Sequence, residues 1–257
     1  MIRIGPAGSG LANIDGLKKL LRSGLNALEV EFTYGVWMKD KHAKKLGSFA
    51  LKNDIALSVH APYYINLASM DRQKLLASKK RIKDSCRLAE SMGAGYVVFH
   101  AGYYQGRDKK EVYNIIRKEL EKLADHIKKR RWKVKLAPET TGKKSQFGDI
   151  DELLKLRKQA RTDVCVDFSH ILARNGSIDY REIFTKLKDL NHVHAHFSGI
   201  VYSKKGELRH KRTPTTAVKA LLEEAVKQKQ ELTIINESPV PFKDSIKTLK
   251  IYREMLT

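Results

Sequence analysis

The stretch YVVFHAGYYQGRDKKEVYNIIRKELEKLADHIKKR, residues 96–130, contains one complete strand–helix unit. Its first seven residues form a short apolar run with β-branched and aromatic side chains, which is typical of a buried strand. From residue 108 onward, apolar side chains recur every three or four positions, as they do on one face of a helix. Asp108 stands where the N-cap of that helix is expected. Asp149 is the expected N-cap of the next helix, and Thr213, followed by Pro214, that of a helix at 214–229. The stretch therefore predicts a strand at 96–102 and a helix over 108–130.

The same unit recurs along the chain, because seven further short runs are each followed by a longer pattern of helical spacing. These runs are IRIG (2–5), ALEVEF (27–32), ALSVHA (56–61), KVKLAPET (133–140), VCVDFSH (164–170), HVHAHFSG (192–199) and LTIINESP (232–239). Alternating strands and helices favour parallel strands joined by right-handed crossovers. Eight units in about 250 residues are typical of a (β/α)8 TIM barrel.

An open, doubly wound sheet is the alternative architecture. Its dinucleotide-binding form carries a Gly-rich fingerprint after the first strand, and GPAGSG (5–10) lacks that spacing. No Gly/Ser-rich linker or low-complexity segment divides the chain. We therefore predict an α/β protein in which residues 1–257 form a single (β/α)8 barrel domain.

The chain is strongly basic, since 50 Lys and Arg against 29 Asp and Glu give a formal net charge of +21. Such a surface concentrates polyanions, although a heavily solvated exterior produces the same imbalance. The two cysteines, Cys86 and Cys165, lie in apolar patterns and predict no disulfide framework. The sequence contains neither a signal-peptide pattern nor an apolar run of about 20 residues. We expect a cytoplasmic protein that does not engage a membrane.

Chemistry-bearing residues cluster at the predicted strand ends, where a TIM barrel builds its active site. Six consecutive strands end in a side chain that can bind a metal ion. These side chains are His60, His100, Glu139, Asp167 (with His170 beyond it), His196 and Glu237. Imidazole and carboxylate ligands together suit Zn²⁺ or Mn²⁺. The set exceeds what one ion needs, so we expect two or three ions with Glu139 able to bridge them.

Three histidines share one face of the run HVHAHFSG (192–199). In a strand, neighbours on one face are separated by about 6.6 Å. Only His196 is therefore expected to reach the ligands at the mouth of the barrel. His194 is expected one layer deeper as a hydrogen-bonded support, and His192 near the floor.

Six motifs, in this order, resemble those of the endonuclease IV family of apurinic/apyrimidinic endonucleases. They are VHAPYYINLAS (59–69), VFHAGYY (98–104), APET (137–140), VCVDFSH (164–170), HFSG (196–199) and INESP (235–239). The resemblance implies a TIM barrel with a trinuclear zinc site. It implies a DNA repair hydrolase that binds damaged double-stranded DNA and cuts the phosphodiester 5′ to abasic sites; we expect a monomer.

The resemblance also implies roles for individual residues. It implies a first metal group of His60, His100 and Glu139, with Glu139 as the central catalytic residue. It implies a second group of Glu139, Asp167, His196 and Glu237, and a third that contains His170 and His210. Tyr63 matches a tyrosine that faces the DNA-binding pocket in the family.

Two departures from the family pattern stand out. The third site of the family uses an Asp-x-His pair, but Leu208 occupies the Asp position here. Glu207 lies one residue away. In a regular extended segment it would face away from His210, whereas in a loop it could still reach the site. The loop after the second strand, FTYGVWMKD (32–40), carries aromatic residues where the family has a basic, Arg-containing segment.

A competing interpretation comes from the sugar isomerases and epimerases of the same superfamily. These enzymes hold a single divalent ion, and the chain offers a matching set in Glu139, Asp167, His196 and Glu237. In that case the two glutamates would move protons at adjacent carbons. The pair of His60 and His100, which one ion does not require, favours the nuclease, as does the charge of +21.

Overall fold

Strands and helices alternate along the whole chain, and the computed structural model describes residues 1–256. The strands are β1 Ile2–Pro6, β2 Ala27–Glu31, β3 Ala56–His60, β4 Tyr96–Phe99, β5 Gly102–Tyr103, β6 Lys135–Pro138, β7 Gln146–Phe147, β8 Cys165–Asp167, β9 Val193–Phe197, β10 Gly199–Ser203, β11 Gly206–Lys211 and β12 Leu232–Asn236. The helices are α1 Ile14–Arg22, α2 Asp40–Lys52, α3 Arg72–Met92, α4 Lys109–Arg130, α5 Ile150–Ala160, α6 Phe168–Asn175, α7 Tyr180–Leu187, α8 Thr215–Lys227 and α9 Pro241–Glu254.

Eight of these strands close into a barrel. One parallel sheet has the order β2-β3-β4-β6 and the other has the order β1-β12-β9-β8. Parallel bridges between Ala7 and Glu29 and between Glu139 and Cys165 join the two sheets at both seams. The predicted (β/α)8 TIM barrel is therefore confirmed, and the eight strands are those expected from the sequence.

Local sequence signals account for most helix starts. Asp108 accepts a hydrogen bond from the backbone amide of Glu111, and Asp149 accepts one from Asp151, so both expected N-caps are confirmed. The expectation that Thr213 caps the helix at 214–229 is wrong. That helix, α8, starts at Thr215, and the Thr213 hydroxyl instead accepts a hydrogen bond from Asn236 in the barrel wall.

Two antiparallel strand pairs lie outside the barrel and were not expected. The pair β5–β7 is short, whereas β10 and β11 form a longer hairpin directly after β9. A bridge between Lys143 and Gly206 ties this hairpin to the loop after β6. The hairpin therefore leans over the carboxyl ends of the barrel strands and brings His210 toward them.

None of the helices within residues 1–256 is long and apolar enough to cross a membrane.

Candidate metal centre

The eight candidate ligands predicted from the sequence converge at the mouth of the barrel. Each is held at or just beyond the carboxyl end of a strand, apart from His170 in the first turn of α6 and His210 on β11. Most are buried, and only the His100 and His210 side chains keep about a fifth of their surface exposed, at 23% and 21%. Parallel strands in register force this convergence, because their carboxyl ends meet at one rim.

The first group surrounds one oxygen of a buried carboxylate. His60 Nε2 lies 3.2 Å from Glu139 Oε2, and His100 Nε2 lies 3.0 Å from the same oxygen. The Nδ1–H of His60 donates a hydrogen bond to the carbonyl of Ala61 at 2.8 Å. That bond leaves Nε2 as the ring nitrogen available to a metal ion.

The second group shares Glu139 and is richer in carboxylates. His196 Nδ1 lies 3.2 Å from Glu139 Oε1 and 3.1 Å from Glu237 Oε1. One ligand atom from each of Glu139, Asp167, His196 and Glu237 lies within 4.8 Å of the others. Asp167 Oδ2 is buried and has no hydrogen-bond partner among the described residues. Three carboxylates this close and this buried repel one another, so the arrangement fits divalent cations.

The third group lies under the hairpin. His170 Nε2 and His210 Nε2 are 3.2 Å apart, and Asp167 lies within ligand distance of both rings. Glu207 also reaches this group, with its Oε2 3.4 Å from His170 Nε2. Of the two alternatives left open for Glu207, the structure has the one in which it reaches the site, because β11 is irregular at Leu208.

The pKa values of the site residues reflect this crowding of charged groups. Burial disfavours a charged imidazole, but the hydrogen bond and charge of Glu139 outweigh it and raise the pKa of His60 to about 9. Burial also raises the pKa of Asp167, and the neighbouring charges of Glu139 and Glu237 add to the shift. Buried imidazoles and carboxylates of this kind fit divalent cations, whose binding would release protons from the site.

A second layer of polar residues supports the ligands from below. Glu29 is fully buried on β2, and its Oε1 lies 2.8 Å from His196 Nε2. Its Oε2 lies 2.9 Å from His194 Nε2 and accepts a hydrogen bond from the Ser58 hydroxyl at 2.7 Å. Burial opposes the charge of Glu29, yet both imidazoles lower the pKa of its carboxyl far below the ordinary value. Glu29 therefore holds the His196 ring with Nδ1 toward the ligands.

The other two histidines of β9 lie where the strand period puts them. His194 is buried one layer below His196, and its ring stacks on Tyr96 with centroids 4.9 Å apart. His192 lies at the floor, where it shares a hydrogen bond with the Thr233 hydroxyl. Cys165, His194 and His196 also lie within ligand distance of one another. Burial raises the pKa of the Cys165 thiol well above its usual value, which makes it a poor ligand.

A cavity of about 250 Å³ opens above the ligands. Tyr63 stands on its wall, half exposed, with its ring centroid 5.9 Å from that of His60. A larger cavity of about 560 Å³ opens at the opposite end of the barrel, near His192. The smaller cavity is the candidate site, because the predicted ligands meet there and TIM barrels place their chemistry at this end.

Two acids on this cavity escaped the sequence reasoning as site residues. The sequence left the position of Glu207 open, and Glu31 at the end of β2 was not considered. Burial and the charge of Glu237 raise the pKa of Glu31. A side chain at Gly8 would meet Glu31 Oε2 at 2.6 Å, so this glycine leaves room for the carboxylate. The alternation of Glu29 and Glu31 in ALEVEF was the available signal, since both face the inside of a closed barrel.

Comparison with known proteins identifies the family. Residues 17–240 match the family described as the xylose isomerase-like TIM barrel. The chain belongs to the xylose isomerase-like TIM barrel family. Within this family, an uncharacterized protein of Methanocaldococcus jannaschii is 37% identical over 257 residues, covering 94% of this chain and 91% of that protein.

The resemblance to endonuclease IV is confirmed by a further relative. A protein named "Probable endonuclease 4" from Aquifex aeolicus is 26% identical over 155 residues, which cover 58% of this chain and 53% of that protein. The matched region is thus about half of either chain. This match supports the resemblance of the sequence motifs to those of endonuclease IV.

Solved structures of both functional kinds share the fold. SacUVDE superposes with a TM-score of 0.81 at 16% identity, covering 100% of this chain and 99% of that one. A D-tagatose 3-epimerase-like protein gives 0.74 at 19% identity, with 99% and 97% covered. Endonuclease IV from Thermus thermophilus gives 0.70 at 18% identity, with 99% and 98% covered. Fold similarity alone therefore does not separate a nuclease from an epimerase.

Proposed function

We propose that the protein is a metal-dependent endonuclease of the endonuclease IV type, which hydrolyses the phosphodiester 5′ to abasic sites in damaged double-stranded DNA. One observation carries the proposal: His60 and His100 both contact Glu139, beside the four-residue group that a single ion would use. A site with one ion has no need of this extra pair. We propose zinc as its metal, with Mn²⁺ as the alternative, and a monomer acting in the cytoplasm on DNA repair.

The contacts of Glu139 define its role in this proposal. It presents Oε2 to His60 and His100 and Oε1 to His196, so it would bridge two ions and fix their separation. When bound, clustered divalent ions supply a nucleophile at neutral pH and neutralise charge on a phosphodiester. Glu139 is fully buried among histidines and therefore holds this geometry without competition from water.

The shape of the cavity supports an abasic substrate. A volume of about 250 Å³ is at the small end of ligand pockets. A bare deoxyribose suits this space better than a nucleotide that carries its base. An abasic nucleotide also leaves the helical stack at lower cost than a paired one. In this proposal Tyr63 forms the wall against which the sugar packs.

A basic platform beside the cavity supports a DNA backbone as the partner. Lys143 and Lys144 lie on the loop after β6, and Lys204 and Lys205 lie at the tip of the adjacent hairpin. The backbone amide of Lys144 donates a hydrogen bond to the carbonyl of Lys205, so the two loops form one surface. All four side chains are exposed, and none makes an ion pair within residues 1–256. Unpaired lysines beside a phosphodiesterase site would contact phosphates flanking the lesion.

A sugar or sugar-phosphate epimerase is the second candidate function. Glu139, Asp167, His196 and Glu237 meet closely enough to hold a single ion, and the D-tagatose 3-epimerase-like protein shares the fold. In that function His60 and His100 would have no direct part in holding the ion. The two functions therefore differ in what they require of His60.

The test compares wild type, His60→Ala and the control His126→Ala in two assays, with zinc or manganese supplied. His126 is a half-buried histidine on α4, outside the candidate site. One assay measures cleavage of a duplex with a single abasic site, and the other measures epimerisation of ketohexoses. We expect the wild type and the control to cut the abasic duplex and His60→Ala to lose most of that activity. Sugar epimerisation by the wild type, retained in His60→Ala, would favour the second candidate and reject the first.

A further inference from the structure

The hairpin β10–β11 contains one extra residue, Leu208, between Glu207 and His210. Ile200 pairs with His210 and Val201 with Arg209, but the next residue, Tyr202, pairs with Glu207. Leu208 is left without a partner in the ladder, which is a β-bulge. In a regular strand, residues three apart face opposite sides, and the extra residue cancels that alternation. Glu207 and His210 therefore face the same side.

The backbone at Gly142 holds Glu207 in this position. Its amide donates a hydrogen bond to the carbonyl of Gly142 at 3.1 Å. A Cβ atom at Gly142 would lie 2.6 Å from the Cβ of Glu207 and 3.1 Å from the His170 ring, so only glycine leaves the needed space. The side chain of Leu208, in contrast, points outward and is 62% exposed.

The two histidines that face Glu207 present acceptor atoms. The Nδ1–H of His170 donates to the carbonyl of Thr140 at 2.9 Å, and the Nδ1–H of His210 donates to the carbonyl of Glu237 at 3.0 Å. In the neutral rings, both Nε2 atoms therefore carry lone pairs. These atoms are 3.2 Å apart, and Glu207 oxygens lie 3.4 Å and 3.8 Å from them. Three acceptors that face one another require a cation, or extra protons in its place.

We propose that Glu207 is the carboxylate ligand of a third divalent cation, bound together with His170 and His210. The bulge at Leu208 places this glutamate where the resemblance predicts an aspartate two residues before the histidine. The assignment rests on the multinuclear site of the proposed function. It does not depend on which substrate that site acts on.

The test counts bound zinc per chain by native mass spectrometry of the folded protein, with elemental analysis as a second measurement. We expect three ions in the wild type, two in Glu207→Gln and three in the control Leu208→Ala. The double variant Glu207→Gln with Leu208→Asp restores the family's sequence pattern. We expect it to stay at two ions, because the side chain at 208 points to solvent. Thermal melts in the presence of zinc establish that each variant is folded.

Three results would overturn the assignment: a wild type with fewer than three ions, a Glu207→Gln variant with three, or a double variant that regains the third. Nuclease activity is measured separately on the same samples. A protein that binds three ions, loses one in Glu207→Gln and leaves abasic DNA intact would reject the proposed function and keep this assignment. If a wild type with two ions cleaves abasic DNA, the proposed function is kept and this assignment is rejected.

Discussion

At the scale of single residues, the site depends on groups that touch no substrate. Glu29 contacts His196 and His194 from within the barrel and lies 2.8 Å and 2.9 Å from their Nε2 atoms. A carboxylate in this place fixes the ring orientation and strengthens the imidazole as a ligand. The sequence placed His194 and His196 correctly, because a strand has a fixed period of two. The alternation in ALEVEF places Glu29 inside the barrel, but a strand's own pattern does not reveal which histidines it contacts there.

Replacing Glu29 tests this support. We expect Glu29→Gln to lower zinc affinity by roughly 10–100-fold, the usual effect of removing such a partner. The reason is that a neutral amide attracts the two imidazole rings less strongly than a carboxylate does. Competition with a chromogenic chelator measures the affinity. Ser58→Ala, which removes only the hydroxyl bonded to Glu29, is the matched control, and equal affinities in all three proteins would contradict the role.

The protonation of His60 makes a prediction about pH. In the metal-free protein its pKa is raised from 6.5 to about 9. The interaction of protonated His60 with Glu139 therefore stabilises the folded state fully below pH 6.5. This stabilisation is lost as pH rises through 9. We expect the melting temperature of the chelator-treated protein to fall by roughly 5–10 °C as the pH rises between these two pKa values.

With zinc bound, the melting temperature should instead rise with pH. Zinc requires the neutral imidazole, so its affinity should rise over the same pH range. Differential scanning calorimetry with and without zinc at matched pH values measures both effects. A melting temperature of the metal-free protein that rises with pH across this window would contradict the explanation.

At the scale of elements, the barrel could be predicted and its additions could not. Strands such as β4 and helices such as α4 follow from local periodicity and capping, which need no knowledge of distant residues. The hairpin β10–β11 depends on tertiary contacts instead. Its bulge is supported by Gly206, at φ +104°, and by the bridge to Lys143. The segment ELRHKR alone gives no sign of a bulge, which is why the sequence left the position of Glu207 open.

The same hairpin carries a prediction about DNA. We expect Lys204→Ala with Lys205→Ala to weaken binding of abasic and intact duplexes alike, because phosphate contacts carry no sequence information. The slope of log affinity against log salt should fall in magnitude by about 0.9 for each lysine–phosphate interaction that the substitutions remove. Fluorescence anisotropy over a salt series measures both quantities.

The control replaces Lys128 and Lys129, two lysines of equal charge at the end of α4, which leads to the opposite end of the barrel. This control should leave the salt slope unchanged. If both double variants reduce the slope equally, binding reflects the net charge of the chain and the platform has no special part in it.

At the scale of the whole molecule, eight strand–helix units form the barrel, and the candidate ligands lie together where the carboxyl ends of its strands meet. Both consequences follow from topology, so the sequence was sufficient for the barrel and for the convergence of His60, His100 and Glu139. The assignment of residues 1–257 to one domain stays a prediction. The reaction is harder to infer, because the group of Glu139, Asp167, His196 and Glu237 is compatible with either proposed function. What separates the two functions is the number of ions and the substrate, and neither follows from periodicity.

Mapping the ends of a cleaved duplex tests the central claim most directly. A zinc-loaded sample is incubated with a labelled duplex that carries one abasic site, and the products are compared with an intact duplex of the same sequence. We predict a single cut 5′ to the abasic site, which leaves a 3′-hydroxyl on the upstream fragment, and no cut in the intact duplex. An uncut abasic duplex, or equal cleavage of both duplexes, would contradict the claim.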